Sequence, residues 1–203
     1  MNFLAHIYLS DDSVPITIGN FIGDFLRGDK MERFDLEIQK GIRLHRSIDL
    51  FTDSHDVVMR SKKRLWNKYR HFSGVIVDIY YDHYLAKNWH QFSNVPLHEY
   101  IDDFYKMIQA HEHILPQKVT QILPHMMRKN WLLNYANFEG IDEVMQGMSK
   151  RTKHDSKMEE SVKELKEGYE EFEGDFFEFF PDLEQHVEGY LAEHQGAVDS
   201  RFK

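Results

Sequence analysis

Two carboxylates, Asp78 and Asp82, stand four residues apart inside the apolar run Gly74-Val-Ile-Val-Asp-Ile-Tyr-Tyr, with His83 directly after the second. Helical spacing puts both on one face of a segment whose other residues belong in a core. A buried carboxylate is costly unless it is paired, protonated or bound to a cation, so each demands a partner. The device recurs at i, i+4 spacing among apolar residues: Asn2 with His6, Asn20 with Asp24, and His45 with Asp49. Helical segments that repeatedly carry nitrogen and oxygen donors point to one metal centre, of the kind that drives metal-assisted hydrolysis. Its candidate ligands are His6, Asp24, His45, Asp49, Asp78 and Asp82, with His83 beside them and Asn2 and Asn20 as ligands or as donors behind them. The chain has no cysteine, so any metal sits on nitrogen and oxygen. That mixture suits a divalent ion, with manganese, magnesium and iron ahead of zinc.

Each residue also has a plainer role open to it. Asn2 stands where a helix N-cap belongs. His6 can be a hydrogen-bonded core imidazole. Asp49 can pair with Arg43 or Arg46, and Asp82 with a lysine. Asp78 is the hardest to assign otherwise, because Val75, Ile76, Val77 and Ile79 surround it and no cation neighbours it in sequence. Two literal His-Asp pairs, His55-Asp56 and His154-Asp155, read instead as helix starts, where an acid complements the dipole or caps the first turn. His111-Glu112-His113 precedes Leu115-Pro116 at a helix end, without the i, i+4 spacing that would put both imidazoles on one face.

The elements that must position these groups read as helices almost throughout. Breaks fall at Asp11-Asp12-Ser13, Gly28-Asp29, Thr52-Asp53-Ser54, His71 to Gly74, Ser93-Asn94, Pro116, Pro124, Gly140 and Pro181, and no segment alternates as a strand does. The 203 residues suffice for one full core and not for two. The expectation is an all-α fold: a single compact domain of about seven to nine helices over 1–194, with 195–203 a flexible tail. Gly19-x-x-x-Gly23 predicts close helix packing. Phe172, Phe176, Phe177, Phe179 and Phe180 recur at helical spacing and predict core.

No stretch approaches the roughly 18 apolar residues that span a bilayer. The segment Met1 to His6 also lacks the basic region of a signal peptide, so the expected address is the cytoplasm, with no membrane partner. A net charge of -9 argues against general nucleic-acid binding. The charge is uneven: residues 155–193 hold fourteen acids against three lysines, whereas 60–70 hold six basic residues and no acid. That basic strip, with Arg60, Lys62, Lys63 and Arg64 at its centre, is either an exposed helix face or a receiver for an acidic protein or a phosphate. The chain has no P-loop, no Gly-x-Gly-x-x-Gly, no Gly-x-Ser-x-Gly and no His-Glu-x-x-His.

Several segments together resemble the acyl carrier protein phosphodiesterase family. They are Asn2-Phe3-Leu4-Ala5-His6, Gly19-Asn20-x-x-Gly23-Asp24-Phe25-x-Arg27-Gly28, Gly41-Ile42-x-x-His45-Arg46-x-Ile48-Asp49-x-x-Thr52-Asp53 and Asp78-x-x-x-Asp82-His83. The likeness continues through Trp131-Leu132-x-x-Tyr135, Gly147-Met148-Ser149-x-Arg151 and Phe179-Phe180-Pro181, covering nearly the whole chain. The resemblance implies an all-helical fold distantly related to the HD-domain phosphohydrolases. It also implies hydrolysis of holo-acyl carrier protein to its apo form, with release of 4'-phosphopantetheine and a divalent metal, usually manganese. The acidic carrier protein would suit the basic strip. The adjacent His-Asp of a standard HD domain is missing, since His45 precedes Arg46 and the other pair runs Asp82-His83.

The mechanism expected from this set has one or two ions held by Asp24, His45, Asp49, Asp78 and Asp82, with His6 and His83 as further ligands. The metal activates a water that attacks phosphorus. Arg27 or Arg46 donates to the phosphoryl group, or pairs with Asp24 or Asp49 instead. His83, where it is not a ligand, is the candidate acid for the leaving serine oxygen. Behind this reading stand an HD-type hydrolase of nucleotides or other small phosphoesters and, last, a helical binding protein without chemistry.

Overall fold

The computed structural model of the protein describes residues 1–26 and 30–195. Among these residues it contains helices and no strand. The helices are α1 (Phe3–Tyr8), α2 (Val14–Ile22), α3 (Leu36–Ser54), α4 (Asp56–Tyr69), α5 (Ser73–Lys87), α6 (Leu97–Ala110), α7 (Gln117–Arg128), α8 (Trp131–Asn134), α9 (Phe138–Ser149), α10 (Val162–Glu167) and α11 (Tyr169–Gln195). The expected break at Gly28-Asp29, and the expected tail beyond 195, lie outside the described residues.

Helix α5 is the axle of the domain. Ile76, Val77, Ile79, Tyr80, Tyr81, Tyr84 and Leu85 are all fully buried, so the helix is apolar on nearly every side, as a helix enclosed by others must be. Helices α1, α4, α9 and α11 pack against it. The phenylalanines of α11 complete the core: Phe172, Phe176, Phe179 and Phe180 are buried, and Phe177 packs on their rim.

Helices α2 and α3 pack backbone against backbone, and the glycines explain it. A Cβ on Gly19 would lie 2.1 Å from the Ile38 carbonyl oxygen, and one on Gly41 would lie 2.2 Å from that of Ile16. The two backbones therefore touch, as the Gly19-x-x-x-Gly23 spacing predicts. This contact fixes the height at which residues of α2 meet those of α3.

Several details differ from expectation: the described residues form eleven α-helices and not seven to nine, and the expected breaks at Pro124 and Gly140 lie inside α7 and in the first turn of α9. Pro181 does not break a helix: α11 runs through it from Tyr169 to Gln195. Phe179, Phe180 and Leu183 bury on both sides of the proline, and this burial outweighs the backbone bond it removes. His154-Asp155 does not start a helix either, since 153–157 is irregular and α10 begins only at Val162. The turn at Lys157 has φ 56, a left-handed conformation that interrupts helical continuation. His55-Asp56 does open α4, with the His55 ring nitrogen accepting from the Val57 amide.

Helix α4 is tied to α11 by a buried carboxylate. Asp175, 3% exposed, accepts from Arg60 Nε at 2.8 Å and from Ser61 Oγ at 2.6 Å, and it also pairs with Arg64. Burial works against its charge, but the Ser61, Arg64 and Arg60 contacts hold its pKa below the usual carboxylate value. Asp175→Asn is expected to destabilise the fold by about 2–3 kcal/mol, because it strands two guanidiniums that remain partly in water. A folded pKa below the unfolded one means the Asp175 contribution is present above the ordinary Asp range and is lost as pH falls through the folded value. Denaturant melts of the wild type and the variant should therefore differ fully at neutral pH, and the gap should narrow below about pH 4.

Candidate metal centre

Helix α1 brings His6, α2 brings Asn20, the turn Gly23–Phe25 brings Asp24, and α3 brings His45 and Asp49. The Asn20 side chain, fully buried, donates to the His6 carbonyl at 2.7 Å and to Ser10 Oγ at 2.9 Å. Its Oδ1 is therefore the acceptor for His6 Nδ1, 2.8 Å away, so that ring nitrogen carries the proton. His45 Nδ1 donates to the Asn20 backbone carbonyl, also at 2.8 Å. One residue thus sets the tautomer of both imidazoles and aims both Nε2 atoms the same way, which is how metal-binding histidines are held.

Those Nε2 atoms converge on Asp49. His6 Nε2 lies 3.2 Å from Asp49 Oδ1, and His45 Nε2 lies 3.2 Å from Asp49 Oδ2 and 3.2 Å from Asp24 Oδ1. The rings stack with centroids 4.1 Å apart. One ligand atom from each of His6, His45 and Asp49 falls within 4.8 Å of the others. His6 Nε2 is buried and makes no aligned hydrogen bond. An orphaned imidazole nitrogen facing a carboxylate is what a cation would satisfy, and the sulfur-free donor set fits a divalent ion.

The electrostatics follow from this crowding. Burial and the neighbouring His45 lower the His6 pKa. For His45 burial opposes the charge, but Asp24 and Asp49 outweigh it and raise the pKa to about 9. Both acids overcome their own burial through the imidazoles, Asp24 shifting down and Asp49 far below the usual carboxylate range. Gly23 seats the His45 ring, because a Cβ there would lie 2.3 Å from its Cγ.

The remaining candidates from the sequence are placed as follows. Asp82, wholly buried, accepts from the backbone amides of Asn2 at 3.1 Å and Leu4 at 2.8 Å, holding the N-terminus of α1. Burial raises its pKa to about 7, against the pull of the nearby ammonium and those amides. Asp78 pairs with the Met1 ammonium at 2.9 Å. Asn2 caps α1 through its side chain. His83 Nδ1 donates to the Tyr135 carbonyl at 2.7 Å, and its Nε2 lies 3.1 Å from the Tyr169 hydroxyl. Arg46 is exposed on α3, and Arg27 lies outside the described residues. In the basic strip, Arg60 pairs with Asp175 and Glu178, Arg64 with Asp175, and Lys62 with Asp53, while Lys63 is exposed and has no ion pair among the described residues.

Two cavities meet at the cluster. A polar pocket of about 300 Å³ is lined by Asp24, Asp49, Asp53 and Asp78 with Met1, Asn2, Val75 and Met148. A larger one of about 510 Å³, between the first turns of the chain and α7 to α9, shares Asn2, Asp24 and Met148 with it. A third, of about 740 Å³ beside Tyr8, Phe92 and Leu191, shares no residue with the cluster. The sequence reading did not single out the Met1 ammonium or the lining of the second cavity. The signal for that lining was present in Trp131, Tyr135, Gly147, Met148 and Arg151, segments that carry the family likeness but hold no carboxylate or imidazole pair.

The chain is 31% identical over 189 residues to the acyl carrier protein phosphodiesterase of Photorhabdus laumondii, covering 93% of this chain and 96% of that one. It is 31% identical to the protein of that name from Pectobacterium atrosepticum, with 91% and 96% covered. The Escherichia coli protein of that name is 29% identical, with 89% and 94% covered. No solved structure matches the chain. The pattern of the family runs across residues 1–183, through every helix that carries a cluster residue, and on that ground the chain belongs to the acyl carrier protein phosphodiesterase family.

Proposed function

We propose that this protein hydrolyses the phosphodiester of holo-acyl carrier protein, releasing 4'-phosphopantetheine and the apo carrier, at a divalent ion held by His6, His45 and Asp49, with Asp24 beside it. The observation that carries the reading is the pair of imidazoles whose Nδ1 atoms are both anchored on Asn20 and whose Nε2 atoms both face Asp49. Manganese is the first choice of ion, with magnesium, iron and zinc compatible with the same donors. Bound there, such an ion would polarise the phosphoryl group and lower the pKa of a water.

The chain's own residues divide the remaining work. Asp24 is half exposed, lines both cavities and accepts the proton of the attacking water. The new bond forms at phosphorus, and the bond from phosphorus to the carrier serine oxygen breaks. That oxygen takes a proton from solvent, and the phosphate leaves on the pantetheine. Asp82 acts one step back: it holds the start of α1 and so the height at which His6 enters the cluster, while Asp78 pairs with the Met1 ammonium. We place this chemistry in the cytoplasm. Among the described residues no helix is long and apolar enough to cross a membrane.

The test is a mass assay of holo-acyl carrier protein incubated with the purified protein, with manganese or with excess chelator. Loss of the phosphopantetheine mass with manganese only supports the reading. An unchanged carrier alongside cleavage of nucleotides would replace it with a small-phosphoester hydrolase.

A further inference from the structure

The residues that meet an acidic partner are chosen by which positive charges the fold leaves unpaired. On α4 the fold has used most of them: Arg60, Lys62, Arg64 and Lys68 each lie within 4.0 Å of a carboxylate of their own chain, which leaves Lys63. An ion pair already formed contributes little field to an incoming protein. The situation is reversed where α7 ends and α9 ends. Arg128, Lys150, Arg151 and Lys153 are exposed, and none of these four pairs with a carboxylate among the described residues. Arg128 donates to His125 Nδ1 at 3.0 Å, and the Arg151 guanidinium sits 5.7 Å from the centre of the Trp131 ring.

Lys150 and Arg151 form part of the wall of the cavity of about 510 Å³ that leads to the cluster, Arg128 bonds the lining residue His125, and Lys153 stands two residues beyond Arg151. Its size lies within the roughly 300–1,000 Å³ of small-molecule sites. Its lining alternates apolar surface, from Phe3, Phe25, Trp131 and Val144, with the side-chain amides of Asn134 and Gln146. A pantetheine arm has the matching alternation of aliphatic segments and amides. The cavity joins the polar pocket through Asn2, Asp24 and Met148, so an arm lying in the cavity with its carrier-bound end at that junction sets the phosphodiester beside Asp24 and leaves the carrier serine at the opening.

We infer that the acidic carrier protein docks on the cationic rim formed by Arg128, Lys150, Arg151 and Lys153, and not on the α4 strip. Its prosthetic arm enters the cavity beneath. This rests on the carrier-protein reading of the cluster given above. Unpaired exposed cations steer an acidic protein by long-range attraction, and the benefit is screened by salt.

The experiment compares steady-state release of 4'-phosphopantetheine from holo-acyl carrier protein by the wild type, the double variant Lys150→Glu/Arg151→Glu, and Lys63→Glu. The double variant is expected to raise KM for the carrier at least tenfold with kcat within about twofold, and to lose most of the salt dependence of kcat/KM. Its manganese affinity and melting temperature should match the wild type, which excludes misfolding as the cause. Lys63→Glu should leave KM unchanged. An unchanged KM in the double variant, or a tenfold rise with Lys63→Glu alone, overturns the docking surface while the activity stands. Absence of release by the wild type overturns the carrier-protein reading itself, and the docking surface with it.

Discussion

His45→Ala is expected to lower turnover by roughly 10³-fold or more while the helical fold survives. Partners behind a metal ligand are alone worth roughly 10–100-fold in affinity or activity, and removing a ligand exceeds that. His45 is also the residue that touches both acids, with Nε2 at 3.2 Å from each of Asp24 and Asp49. Without it the carboxylates face each other with no cation between them, and the variant has neither the ion nor the protonated imidazole that stands in its place. Circular dichroism should report unchanged helix content, because the ring contributes no core packing comparable to the phenylalanines of α11. Retention of more than a tenth of wild-type activity would remove His45 from the centre.

Asn20→Ala is expected to produce the second largest effect, and to do so without touching the ion. Its side chain makes three buried hydrogen bonds, to His6 Nδ1, the His6 carbonyl and Ser10 Oγ. Their loss leaves buried polar groups unmet, at a cost of about 2–4 kcal/mol. His6 is then released to other rotamers and tautomers, whereas His45 keeps its bond to the Asn20 backbone carbonyl. Manganese affinity should fall roughly 10–100-fold and recover in part at high metal concentration, which a merely unfolded variant could not do. Ser10→Ala, which removes one partner of the same amide, should change affinity far less. Equal affinity for manganese in Asn20→Ala and wild type would show that Asn20 plays no part in aiming the ring.

The helices were legible because apolar spacing is local, and the contact of α2 with α3 was legible because only glycines admit two backbones so close. Within the site, the Asn20/Asp24 and His45/Asp49 pairs that the spacing singled out come together in the fold. Asp78 and Asp82 show the limit of the same logic. A buried carboxylate needs a partner, and a metal ion, an ammonium or a row of backbone amides can each serve. The Met1 ammonium and the amides of Asn2 and Leu4 have no side-chain signature, so sequence cannot see that they meet these two acids. The basic strip on α4 was equally visible and equally ambiguous. The counter-charge of Arg60 and Arg64 sits on α11, more than a hundred residues away, and only the fold reveals that the two already share Asp175. Pro181 was read by a local rule that long-range burial of its neighbours overrides.

The central claim, that His6, His45 and Asp49 hold a divalent ion, is tested most directly by titrating manganese into the wild type, His45→Ala and Asp78→Asn and following the free ion by electron paramagnetic resonance. The account predicts stoichiometric binding by the wild type, loss of that site in His45→Ala, and its retention in Asp78→Asn, whose carboxylate pairs with the Met1 ammonium. Undiminished binding by His45→Ala together with loss in Asp78→Asn would contradict it and move the metal to the α5 carboxylates.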